Sequence, residues 1–412
     1  MSKDVSTQNA SAPPSLDEAT NLRQQVRASG MDPNYWYAVE EARNVKPGQV
    51  VEVVFWKQPI ALYRSEDGAF HALDNRCAHR QVKLSIGQVS GCDLVCEYHG
   101  WRYDSSGRLV HMPDTFARSE PLRVSIRSYP VQVRYGLVWL FPGDPELASE
   151  RELPEIPEIT NPEDGEKPWG TVRVAFTCAA HHSMIIDNVS DLSHAFLHRR
   201  YRPFDRADLT HLETRGDNVH MTYESHVGRG RISSSFVDHK RLDTDHIELC
   251  YEYPYQWSNT SDEIKHWLFV LPIDEQTTRM FFIFYFKSFK VPALPIRLPR
   301  PVMRAVLKIA DRTMITPLLR QDRVAVEAEQ EGYNRHWSQR PLEVNPAVRE
   351  MQQVTVRKWQ GHLDREAAKN GTSTETRVSL NGNSTDNGAA SAPTSNESAA
   401  EPAALADQSA AS

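Results

Sequence analysis

Apolar and polar positions alternate at short range through the first third of the chain. The runs Val50–Trp56, Pro59–Arg64 and Phe70–Asn75 are β-branched and aromatic, and turn residues such as Asp67-Gly68 separate them. That is the pattern of half-buried strands. LVCEYHGWRYDSSGRLV continues it with a hairpin turn at Ser105–Gly107, and SIRSYPVQVRYGLVWLFPGD adds two more strands. Residues 35–145 thus read as a small all-β unit. The Pro/Glu-rich stretch 146–167 reads as a linker. From 168 to 363 strand runs (TVRVAFTCAA, HIELCYEYPY, HWLFVLPID, MFFIFYF) mix with helical periodicity around 188–199, 301–319 and 321–334. WLFVLPIDEQTTRMFFIFYF is a hairpin pattern. An antiparallel sheet flanked by helices, α+β, is the expected second domain. Residues 1–30 are polar and read as a disordered, then docking, segment, and 364–412 as a disordered tail.

Composition narrows the class. Hydrophobic residues make up 40% of the 412 and charged residues 25%, as in soluble globular proteins. No run of about 18 apolar residues suggests a membrane span. No basic start with an apolar core suggests a secretory signal, so a cytoplasmic location is expected. The formal net charge is -7, and the tail from Asp364 carries seven acids against three bases. Nucleic acid is therefore not an expected partner. The five cysteines (Cys77, Cys92, Cys96, Cys178, Cys250) form no disulfide framework. Cys92 reads as a buried structural thiol, and Cys178 and Cys250 as strand core.

Two cysteines sit in a metal-binding pattern. Cys77-Ala78-His79 is followed, sixteen residues on, by Cys96-Glu97-Tyr98-His99. Tetrahedral sulfur/nitrogen sets suit zinc or iron–sulfur clusters. Zinc fingers usually pair Cys with Cys and His with His, whereas here each loop carries one of each. One iron of a [2Fe-2S] cluster can then take both thiolates and the other both imidazoles, which raises the reduction potential. Tyr98 and Trp101 are expected to pack the loop and exclude water.

A second constellation follows in Asn188-Val-Ser-Asp191-Leu-Ser-His194-Ala-Phe-Leu-His198. Histidines at i and i+4 share one face of a helix. Gln321-Asp322-Arg323-Val-Ala-Val-Glu327 lies far downstream. Two imidazoles and one carboxylate make the facial triad of non-heme Fe(II) oxygenases. His181 and His182 are alternative ligands, expected on a strand leading into the site. Asp311, Glu327 and Glu329 compete with Asp322.

CAHRQVKLSIGQVSGCDLVCEYHGWRYDSSG and the Asn-x-x-Asp-x-x-His…His motif together resemble the Rieske-type non-heme iron oxygenases. The closer likeness is to their monooxygenase, O-demethylase and tetrapyrrole-oxygenase branch, and the resemblance spans roughly 35–335. It departs at Ala78, where Pro is commoner, and in the three rather than four residues between His194 and His198. The resemblance implies a Rieske cluster on Cys77, His79, Cys96 and His99, and a mononuclear Fe(2+) on His194, His198 and Asp322 in a helix-grip-like domain. Asn188 would lie close to that iron. Asp191 would bridge to His99 of a neighbouring subunit in a homotrimer. NAD(P)H would act indirectly through a partner reductase, with or without a ferredoxin, and O2 and an organic substrate would meet at the iron. The expected outcome is hydroxylation or demethylation of an apolar aromatic or polycyclic compound, with pocket residues from the strands around 215–290. An electron-transfer or redox-sensing protein is the rival reading, and desaturation or oxidative cyclisation the rival chemistry. The basic stretch 287–312 reads first as a solvated amphipathic helix capping the sheet. A membrane-surface helix, not favoured, or a face for an acidic ferredoxin are its alternatives.

Overall fold

The β-branched runs fold as strands. The computed structural model describes residues 12–113, 123–157, 169–201, 206–226, 245–287, 299–339, 342–369 and 371. In the first half, β1 (Tyr37–Glu41), β2 (Gln49–Phe55), β3 (Gln58–Arg64), β4 (Phe70–Asp74), β5 (Gln88–Ser90), β6 (Asp93–Val95), β7 (Arg102–Tyr103), β8 (Leu109–His111), β9 (Ser128–Tyr129), β10 (Val131–Arg134) and β11 (Leu137–Leu140) are antiparallel. They sort into sheets β1-β11-β10, β2-β3-β4-β9 and β5-β6-β7-β8. The β7–β8 turn falls at the expected place: Asp104 accepts from the backbone N–H of Ser106 and of Arg108. Gly107 there has φ +83°, and a Cβ would lie 2.1 Å from the Ile126 carbonyl oxygen, so only glycine fits. Cys92 is exposed, not buried, because the β5–β6 turn lifts it to the surface beside Asp67.

The second half is built on one seven-stranded antiparallel sheet. Its strands are β12 (Gly170–Cys178), β13 (Arg206–Arg215), β14 (Asn218–His226), β15 (Asp245–Glu252), β16 (Tyr255–Thr260), β17 (Ile264–Asp274) and β18 (Thr277–Phe286). Their order is β12-β18-β17-β16-β15-β14-β13. The helices are α1 (Leu22–Arg27), α2 (His182–Ser190), α3 (Arg300–Ala310), α4 (Thr316–His336) and α5 (Pro346–Lys369). Alternation along β17 assigns the faces. Leu268 and Val270 point to the core shared with α2. Trp267 and Phe269 point to the other core, with Trp36, Trp139 and Phe141. Trp139 meets Phe269 edge-on at 4.8 Å, a ring pair that adds about 1 kcal/mol beyond its burial. It ties the two halves together, as do the backbone bonds Trp56 N to Pro272 O and Lys57 N to Ile273 O.

Several segments differ from the sequence expectation. Residues 1–11 lie outside the described part, but 12–30 are ordered, and α1 is capped by the Asn21 side chain on Gln24 N. The linker is packed rather than extended at its start, with Ala148, Leu153 and Ile156 buried; 158–168 lie outside the described residues. The last helix runs past 363 to Lys369, and the tail from 372 lies outside them. Helices 301–319 and 321–334 are interrupted at Asp311–Ile315 by a π-turn, not near 320. Within the basic stretch, 288–298 lie outside the described residues. α3 buries Met303 and Leu307 against Gly170 of the edge strand and exposes Arg304 and Lys308, a solvated amphipathic helix, with Arg312 exposed on the π-turn that follows. Among the described residues no helix is long and apolar enough to cross a membrane.

Candidate metal centres

The two Cys/His loops meet at one end of the N-terminal half. Cys77 and Cys96 are buried in the small core under Leu84, Leu94 and Tyr103, while His79 and His99 are only half-buried. Thiols lie inside and imidazoles at the rim. The His79 and His99 Nδ1 atoms are 3.1 Å apart. Two metal–nitrogen bonds of about 2.1 Å meeting near a right angle give that separation. Trp101 stacks on His79 at 4.7 Å and 6°. Tyr98 lies against His99 at 3.8 Å but is exposed, so it covers one imidazole without sealing the loop. The loops are pinned by Cys96 N to Trp101 O and Gly100 N to Cys96 O. Tyr103 Oη accepts from Ala78 N at 3.0 Å and lies 3.2 Å from Cys77 Sγ, so its own proton is free to point at the sulfur. Burial pushes the Cys96 thiol up, a cost that iron removes by binding the thiolate.

The second constellation assembles differently from a regular helix. α2 ends at Ser190, Asp191 is extended, and Leu192–Phe196 form a tight 3₁₀ turn with His194 off helical geometry (φ −81°, ψ 23°). The expected helix over 188–199 is therefore two pieces joined at Asp191. The Asp191 carboxylate caps the second piece through Ser193 N and accepts from Asn345 Nδ2, both on Oδ1. This break brings His194 and His198 together, with ring centroids 5.0 Å apart. Asp322 of α4 faces both: its Oδ1 is 3.6 Å from His194 Nε2 and 3.1 Å from His198 Nε2. One donor atom from each of the three lies within 4.8 Å of the others. The Nδ1 atoms are engaged elsewhere, His194 on the Asp191 carbonyl oxygen and His198 on Gln321 Oε1 at 3.1 Å. Such outer bonds leave Nε2 of each ring directed inward.

Electrostatics fits a cation there. Asp322 Oδ1 is buried without a hydrogen bond of good geometry. Burial pushes His194 down, favouring the neutral imidazole a metal needs. Burial opposes charge at His198 as well, but the Asp322 carboxylate close beside its Nε2, with Gln321 on its Nδ1, outweighs it and holds that ring up. A bound cation would displace this proton.

The competitors are used otherwise. Asp311 accepts from Thr316, Glu327 from Ala179 N and Arg323, and Glu329 from Arg27. His181 and His182 are not on a strand and do not gather with the triad. They begin α2, and each sends its Nε2 to the Ser29 carbonyl oxygen. Asn188 does face Asp322, across a small cavity also lined by Phe176 and Phe282. Behind α2, Arg27 bonds Asp187 at 2.8 Å and Glu329 at 3.0 Å, with its side chain 3% exposed. Burial raises Asp187 to about 6 even with Arg27 beside it. Gln321 and Asn345 are site residues that sequence reasoning missed; only Gln321, adjacent to Asp322, left a local signal. His220, Cys250 and Glu252 also gather, on the opposite sheet face. Burial and then Glu252 raise that thiol strongly and keep it protonated.

Comparison with known proteins places this geometry. The family described as Rieske [2Fe-2S] domain matches residues 35–130, and the vanillate O-demethylase oxygenase C-terminal domain matches 178–366. A 4beta-methylsterol monooxygenase of Methylococcus capsulatus is 41% identical over 342 residues, 82% of this chain and 92% of its own. The oxygenase component of dicamba O-demethylase from Stenotrophomonas maltophilia is 34% identical over 179 residues, 42% of this chain and 50% of its own. The crystal structure of dicamba monooxygenase bound to dicamba superposes with a TM-score of 0.63 at 22% identity, covering 82% of this chain and all of that one. At that identity the likeness is one of fold.

Proposed function

The chain belongs to the Rieske non-heme iron oxygenases, and on that premise we propose that it hydroxylates a methyl group on a sterol-like ring compound. It is an oxygenase component, an oxidoreductase fed with electrons by a reductase or ferredoxin in a multicomponent system. The observation that carries the substrate class is the 41% identity running through 92% of the methylsterol enzyme, against half of the dicamba enzyme. The apolar helix-side face of the large sheet suits the same class, with Met221, Leu249, Val172 and Phe282 buried on it. The chemistry balances as R–CH3 plus O2, two electrons and two protons to R–CH2OH plus water, and one NAD(P)H supplies both electrons.

In this reading Cys77 and Cys96 hold one iron of the cluster, and His79 and His99 the other. His194, His198 and Asp322 hold the mononuclear iron. When bound, these centres supply one-electron transfer and the activation of O2. Gln321 and the Asp191 carbonyl fix the two imidazole rings by bonding their Nδ1 atoms. Asn345 fixes the Asp191 carboxylate, which serves as the bridge to His99 of a neighbouring subunit in a homotrimer. The half-buried imidazoles at the rim suit such a contact. The reduced thiols required by the cluster suit a cytoplasmic location. Desaturation and oxidative cyclisation could use the same residues; the named relatives favour hydroxylation.

The test is turnover of a 4-methylsterol by the iron-loaded protein with a ferredoxin, reductase, NAD(P)H and ¹⁸O2. A hydroxymethyl product carrying one labelled oxygen is expected. Consumption of reductant with no sterol product, alongside demethylation of an aromatic methyl ether, would contradict the substrate class.

A further inference from the structure

One register row crosses the sheet on the face that packs α2. It reads Val172, Phe284, His266, Ser258, Leu249 and Met221 on β12, β18, β17, β16, β15 and β14. The row is apolar on both flanks and broken at its centre by one imidazole and one hydroxyl. His266 Nδ1 lies 2.6 Å from Ser258 Oγ. Its Nε2 is buried and has no hydrogen-bond partner among the described residues. The rings of Phe282 and Phe284 each sit 5.5 Å from the imidazole. Phe282 in turn lines the small cavity onto which Asn188 and Asp322 open. The pair is thus a polar spot in an apolar wall, one ring away from the candidate iron site.

Buried polar atoms are normally bonded, and an unbonded one set among apolar rings, one of which lines the cavity, marks where a ligand's polar atom belongs. We infer that His266, oriented by Ser258, is the subsite that hydrogen-bonds the hydroxyl group of a neutral polycyclic alcohol; this rests on the sterol-like reading above. Burial holds His266 down at about 4, so the ring is neutral. A neutral imidazole has one donor and one acceptor nitrogen. If Ser258 donates to Nδ1, Nε2 donates to the substrate; if Nδ1 donates to Ser258, Nε2 accepts. A hydroxyl satisfies either arrangement, whereas a carboxylate would want a cation. Arg323, the cation at the cavity, is already held by Glu327 at 2.9 Å. The subsite therefore selects alcohols over acids, while the apolar flanks accept the ring body.

The experiment measures dissociation constants of the iron-loaded full chain for a 4-methylsterol and for its deoxy analogue lacking the hydroxyl. Wild type, His266→Leu, Ser258→Ala and His266→Gln are compared. Wild type should bind the alcohol about tenfold tighter than the deoxy compound, the size of one well-placed bond. His266→Leu should bind both alike, Ser258→Ala should show a reduced preference, and His266→Gln, which keeps a donor and an acceptor, should recover it. A merely structural histidine would weaken both ligands equally, and that result, or a full preference retained in His266→Leu, overturns the inference. A wild type that binds neither sterol overturns the substrate reading and this subsite with it. That outcome is distinct, because the first two require sterol binding by wild type.

Discussion

Arg27→Leu should destabilise the protein severely, and in a pH-dependent way. The guanidinium is buried and bonds Asp187 at 2.8 Å and Glu329 at 3.0 Å. Removing one partner of a buried pair leaves the other uncompensated, at a cost of about 3–5 kcal/mol. Glu329 is 42% exposed at its side chain and can rehydrate, so the penalty falls on Asp187. Burial already raises that carboxyl to about 6, against the lowering charge of Arg27. A carboxyl raised on folding contributes most below its unfolded pKa near 4, and the contribution is lost as pH rises through the folded value. Without Arg27 the folded value climbs further. If it reaches about 8, roughly 2–3 kcal/mol of the loss appears only between about pH 5.5 and pH 8. Urea unfolding of the iron-loaded variant at both ends of that window reads this directly. Arg27→Leu/Asp187→Leu should recover most of the stability, because an apolar pair can replace a buried ion pair. A destabilisation under about 1 kcal/mol, or one unchanged with pH, would refute the reasoning.

Two further outcomes follow from the centres. Tyr103→Phe removes the hydroxyl 3.2 Å from Cys77 Sγ; a bond worth about 1 kcal/mol corresponds to roughly 40 mV for a one-electron couple. Since a donor to sulfur favours the reduced cluster, the potential measured by protein-film voltammetry should fall by about that amount, and an unchanged potential would mean the bond is not made. Asp191→Asn should leave both metals in place by analysis yet cut product formation per NAD(P)H by about two orders of magnitude, through loss of the charge that orients the bridge; normal coupling would remove Asp191 from the electron path.

What the sequence disclosed depended on range. The cluster set could be read because each Cys/His pair lies within one short loop, so chain spacing is nearly spatial spacing. Strand alternation in β17 and β18 was equally local. Asp322 could not be separated from Asp311, Glu327 and Glu329 by sequence, because the choice depends on how α4 is rotated against α2. The i,i+4 spacing pairs His194 and His198 on a regular helix, yet a break at Asp191 performs the pairing, since its side chain caps a new turn. Polar composition hid the packed N-terminus: Arg27 reads as surface until Asp187, 160 positions away, covers it. His266 was indistinguishable from core within HWLFVLPID, because its unbonded nitrogen is a property of the fold.

The most direct test of the account is iron and acid-labile sulfide per chain in anaerobically purified, iron-reconstituted protein, for wild type and His194→Ala/His198→Ala. A two-iron cluster beside a mononuclear site predicts close to three irons per two sulfides in wild type and about two irons in the variant, with sulfide unchanged. About two irons per two sulfides in both proteins would contradict a mononuclear iron on His194, His198 and Asp322.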